Sequence, residues 1–174
     1  MKISNGKIQV LALCGILSPI VYVVTVALAD FWTPPSRTLV KPLVNSFKGV
    51  LRIAICSDAL LVIYNDLIIP FAVGLYFGLK RGLTRSLVLV TLVLTGILGT
   101  AVTVFFPLDA AGQSVTFTGM MHLVVVGLVV PCTFVFMIGF WNSARKDQSW
   151  GKLGLFSIGV FVVTLISGIT TGRL

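Results

Sequence analysis

Glutamate is missing from this sequence, and histidine occurs once, as His122. Only 10% of the residues are charged, against about 25% in soluble domains. A chain this short of charge cannot dress a globular surface for water, so the bilayer must be its solvent. Its 174 residues make one membrane domain and leave no room for a second, globular one. Cysteine is scarce as well. Cys14, Cys56 and Cys132 fall in different apolar stretches, form no CxxC pair, and cannot complete a zinc site with a single histidine. They read as small buried apolar side chains. A paired heme would need a second histidine, supplied by a dimer, and no serine lies in a G-x-S-x-G nucleophile turn. No metal, cofactor or catalytic residue is therefore expected, and the balance leans away from an enzyme.

What the sequence does have is apolar runs: 57% of it is hydrophobic, and its mean hydropathy is +1.07. The expected architecture is an all-α integral membrane bundle of five transmembrane helices, at about 8–29, 53–79, 86–106, 118–141 and 153–171. No stretch shows the sustained alternation of a membrane strand, and no internal repeat is visible. The first run is preceded by Lys2 and Lys7, and Ala27-Leu28-Ala29 before Asp30 resembles a signal cleavage site. Signal cores are shorter, about 7–15 residues, so the run is read as a helix kinked at Pro19. Between the first two spans lies DFWTPPSRTLVKPLVNSFKGVLR. After Pro42 its apolar residues recur at helical spacing, with Lys41, Lys48 and Arg52 between them. That predicts a short amphipathic helix over 42–52 on the membrane surface, anchored by Phe31 and Trp32. Trp141 and Trp150 are expected to be interfacial anchors too.

Net charge is +8, which on a soluble protein would suggest nucleic acid. Here the basic residues flank apolar spans, where they set orientation and meet anionic lipid, so nucleic acid is not expected as a partner. Lys2, Lys7, Lys80, Arg81, Arg85, Arg145, Lys146 and Lys152 fall on one side, and the shorter set Arg37, Lys41, Lys48, Arg52 and Arg173 on the other. This predicts a cytoplasmic N-terminus and an outer C-terminus in a cell membrane.

Two places could carry chemistry. The second span holds Asp58, Asn65 and Asp66. Entering from Ile53, Asp58 is about 8 Å deep and Asp66 about 20 Å, near the bilayer centre, where an aspartate costs about 2.5–3.5 kcal/mol. The spacing puts the three on one helical face, which is expected to point into the protein. That face could serve as a proton or cation site or a polar pocket, or Asp66 could be protonated and hydrogen-bonded to Asn65, Tyr64 or threonines on neighbouring helices. The second place is the turn VTVFFPLDAAGQSVTFTGMMH, with Asp109 and His122 on neighbouring helices. If they meet, with Asp58 at similar depth, the group could act as a general base or hold a cation. A structural Asp–His contact is the alternative. Gly96, Gly99 and Thr100, and in the fifth span Gly154, Ser157, Gly168 and Gly172, are small positions suited to close helix packing.

The segments GILSPIVYVV, YNDLIIPFAVGLYFGLKRG and FFPLD followed by His122 resemble the bacterial and archaeal membrane proteins grouped as domain-of-unknown-function 998. The resemblance runs along most of the chain in layout and implies a small helical bundle with a polar cluster at Asp109 and His122; it implies no established activity. Family members usually carry a further C-terminal helix and an acidic, serine-containing segment after the first helix, where this chain has TPPSRTLVKPLVNSFKG. Both departures suit a chain that leans on partner subunits. The function expected is thus a non-catalytic accessory or structural subunit of a larger membrane assembly, made with other membrane subunits or by self-association. The alternatives are a small enzyme or lipid-binding protein with an outward pocket at Asp58, Asp109 and His122, and a proton- or ion-coupled carrier using Asp66.

Overall fold

The computed structural model describes residues 5–32, 43–109, 114–146 and 150–171, and every regular element among them is an α-helix. In chain order these are α1 (Asn5–Trp32), α2 (Leu43–Gly78), α3 (Leu83–Phe105), α4 (Phe117–Ala144) and α5 (Gly151–Thr171). Four of them contain stretches long and apolar enough to cross a membrane: Gly6–Leu28, Cys56–Gly78, Leu83–Phe105 and Phe117–Ala144. The second is the least apolar, as its two aspartates require. In α5 the apolar stretch among the residues whose side chains are described is Gly151–Ile166, and the helix itself continues to Thr171.

The separate surface helix expected over 42–52 is not observed. From Leu43 onward its residues belong to α2, which runs unbroken for 36 residues. Pro42 is the last breaker before Pro70, so nothing in Leu43–Ile69 obliges the helix to restart. Pro42 itself and the TPPSR segment lie outside the described residues.

The helices pack in sequence: α1 on α2, α2 on α3, α3 on α4 and α4 on α5, with no other pair of helix backbones in contact among the described residues. The bundle is therefore open on the side where α1 and α5 face each other. Its largest core cluster joins Leu75 and Leu79 of α2, Val88 of α3, and Phe140 and Ala144 of α4. A second cluster, Ile68, Ala72 and Leu92, lies next to it along α2 and α3. Outward-facing Ile16, Val90, Leu123 and Phe156 are more than half exposed, as a bundle solvated by lipid requires. Trp150 packs edge-on to Phe140 at 6.2 Å, against Gly78. Trp141 does lie under a cation, with the Arg145 guanidinium 4.8 Å from its ring. The cysteines are less buried than expected; Cys14 and Cys132 are half-buried and Cys56 is exposed. In an apolar solvent a thiol gains little by going inside.

The seam between α2 and α3 closes on Gly96 and Gly99. A methyl group on Gly96 would stand 2.9 Å from the Asn65 carbonyl oxygen, and one on Gly99 would overlap the Asn65 amide. These small positions therefore serve the chain's own α2–α3 packing, not a face left for another chain. Gly96→Leu and Gly99→Leu are expected to destabilise the folded monomer by about 1–3 kcal/mol, the usual cost of overpacking. Thermal unfolding in detergent reads this directly. An unchanged midpoint would show that the seam is looser than described.

Candidate functional site

The polar residues of α2 do not share a buried face. Asn65 is 6% exposed and donates its amide N–H to the Leu61 carbonyl at 2.9 Å. Asp58 and Asp66 are exposed, and for Asp66 this corrects the expectation that the whole face points inward. The reason is the open bundle. Successive helical residues diverge by about 100°, and the two directions beside Asp66 are already occupied. Tyr64 turns to α1, where Ser18 Oγ donates to its carbonyl at 3.2 Å and the Tyr22 ring lies 5.2 Å from its own. Asn65 turns to the glycines of α3. Asp66 is left to project past the edge of α3, where Thr100 Oγ1 donates to its carboxylate at 3.1 Å.

Asp66 stands ten residues inside the apolar stretch Cys56–Gly78, about 15 Å along the helix and so at mid-span. Pro70, four residues on, lacks an N–H and removes the helical donor for the Asp66 carbonyl. Two polar groups of one residue thus need partners at the same depth. The expected bond from a neighbouring threonine is present; Pro70 is a feature the sequence reading passed over, although its spacing from Asp66 is visible there.

At the α3–α4 turn, Asp109 and His122 take different partners. The Asp109 carboxylate accepts from the Thr116 hydroxyl at 2.7 Å and from the Thr116 backbone N–H at 2.8 Å. Thr116 in turn caps α4 by accepting from the Gly119 N–H at 3.1 Å. Gly119 has no side chain because the Asp109 carboxylate fills that space. His122 Nδ1 lies 2.7 Å from the Phe106 carbonyl oxygen at the end of α3. A carbonyl can only accept, so Nδ1 carries the proton and donates. Asp58 makes no hydrogen bond or ion pair to Asp109 or His122 among the described residues, and no group of three potential metal ligands forms there. Asp109 and His122 thus tie the ends of two helices, satisfying groups that helix termini leave open. Thr116 is the residue missed; its signal was a threonine just ahead of an apolar run.

Comparison of the chain with family models, with curated proteins and with solved structures finds no match.

The Thr116 hydroxyl, and then its backbone N–H, hold the Asp109 carboxyl below the usual carboxylate range, with partial desolvation opposing them. A depressed folded-state pKa contributes stability that is full above the unfolded value and lost as pH falls through the folded one. The thermal midpoint of the native chain is therefore expected to fall below pH 4, and Asp109→Asn to flatten that fall. Identical profiles for the two would remove Asp109 from the account. Thr116→Val should cost about 1 kcal/mol at neutral pH, as loss of a helix cap does, measured by the same unfolding.

Proposed function

We propose that this chain is a non-catalytic polytopic membrane protein that serves as an accessory or structural subunit of a larger integral-membrane assembly, built with other subunits or with further copies of itself. It sits in the bilayer with five spans, α5 included, its N-terminus cytoplasmic and its C-terminus outside. A relation to the domain-of-unknown-function 998 proteins belongs to the same proposal, on the segments quoted above.

The observation that carries it is the exposed Asp66 carboxylate at mid-span, with Thr100 as its bonded partner. Facing hydrocarbon, an ionised aspartate there costs about 2.5–3.5 kcal/mol or more. A neighbouring subunit that brings a donor over this edge of α2 and α3 removes the cost. The turn at Asp109 and His122 supports the non-catalytic part, because both side chains are engaged in holding helix ends.

The same carboxylate would suit a proton- or ion-coupled carrier, and the two readings separate by experiment. Native mass spectrometry of the protein extracted in mild detergent is expected to show a stoichiometric protein partner or a second copy. Asp66→Leu should cut that partner's occupancy by about tenfold, the equivalent of roughly 1.4 kcal/mol. A bare 18.7 kDa chain under these conditions would overturn the subunit reading. Proton flux into vesicles containing the chain, abolished by Asp66→Asn, would establish the carrier instead.

A further inference from the structure

The gap between α1 and α5 is a groove of about 840 Å³, in the range of ligand pockets, about 300–1,000 Å³. Its walls are α1 from Ala12 to Ile20 and, opposite, Trp150 with α5 as far as Val160, and its floor is Phe71 and Leu75 of α2 with Phe136 and Phe140 of α4. The one hydroxyl on the wall, Ser157, is turned away to the Met137 carbonyl at 3.3 Å. Apart from the Trp150 indole at one end, the lining presents apolar side chains. Such a wall suits a hydrocarbon.

Its length and position say which one. From Trp150 to Val160 the wall runs about 15 Å at 1.5 Å per residue, which is half of the roughly 30 Å hydrocarbon core. The groove therefore spans one leaflet. A transmembrane helix from another chain would need a seam about twice as long. One end of the groove opens where α1 and α5 begin and α2 and α4 finish, and that end is cationic. Lys7, Lys80, Arg81, Arg85, Arg145, Lys146 and Lys152 all lie there, with no carboxylate among the described residues; Asp147 lies outside them. Lys152 precedes the lining residue Phe156 by one turn and so shares its face of α5 at the cationic end. Lys80 Nζ donates to the Lys146 carbonyl at 2.8 Å, which holds its ammonium between the ends of the two floor helices.

We infer that this groove seats an acyl chain of an anionic phospholipid, with its phosphate at the Lys152 end. The inference needs the chain to lie in a bilayer and does not depend on the subunit reading. Asp66 projects from the side of α2 opposite Phe71 and Leu75, so the two surfaces fail or stand separately.

The test uses the full chain in mild detergent with mixed phosphatidylglycerol and phosphatidylcholine, read by native mass spectrometry. One phosphatidylglycerol should stay on the chain in preference to phosphatidylcholine, and Lys152→Gln should reduce that preference about fivefold, the usual worth of one lysine near an anionic headgroup. Val160→Trp should expel the lipid, while Leu123→Trp, of equal bulk on an exposed face, should keep it. Because Val160→Trp could unfold the chain, a second measurement uses single-tryptophan protein (Trp32→Phe, Trp141→Phe). Phosphatidylglycerol brominated along its chains should quench Trp150 saturably at low mole fraction in a phosphatidylcholine bilayer. Quenching that merely tracks bulk lipid, equal retention of both lipids, or a second copy or other protein displaced by Val160→Trp would overturn the inference.

Discussion

Helices in a bilayer gain little from hiding apolar side chains from each other, because lipid is as apolar as leucine. They associate where backbones come close and polar groups find partners. In this protein that requirement is met around Tyr64, Asn65 and Asp66. Gly96 and Gly99 admit Asn65 to the α2–α3 seam, and Ser18 reaches the Tyr64 carbonyl across the α1–α2 seam. Consecutive residues on one helix thereby fix α2 against both neighbours. The direction of Asp66 follows from those two commitments and not from any contact of its own.

The existence and approximate limits of the helices were legible because a 20-residue apolar run has few other destinies. The run from Leu43 through Gly78 shows the limit of that reasoning. A change from amphipathic to apolar composition marks a change of surroundings, not the end of a helix. Helical spacing placed Asp58, Asn65 and Asp66 on a common face, but only the order of the bundle says which sector of the helix is covered. Trp150 illustrates the same point: composition marked it as an anchor, and only the packing shows its ring lying on Phe140 and Gly78.

The turn after α3 was legible as a polar place and not as a device. Asp109 and His122 stand close enough in sequence to meet. Helix ends, however, present a free N–H and a free carbonyl that need partners at no further cost in chain ordering. Thr116 and Phe106 supplied them first. A short polar segment beside two helix termini is therefore a poor place to seek acid–base chemistry unless its side chains exceed the termini's needs.

α2 has one interior proline, Pro70, and prolines are where long helices bend. From Leu43 to Pro70 the helix is an uninterrupted arm of about 40 Å, longer than the hydrocarbon core is thick. Its Leu43 end stands beyond the part of the chain that the core clusters grip, for those lie on the Pro70 side. Such an arm is a lever whose fulcrum is the clamp at Tyr64 and Asn65. A sideways displacement at Leu43 therefore moves Asp58, which lies beyond that clamp, more than it moves Asp66, which lies beside it. Whatever touches the Leu43 end is thus connected, through one unbroken helix, to the clamp at Tyr64 and Asn65.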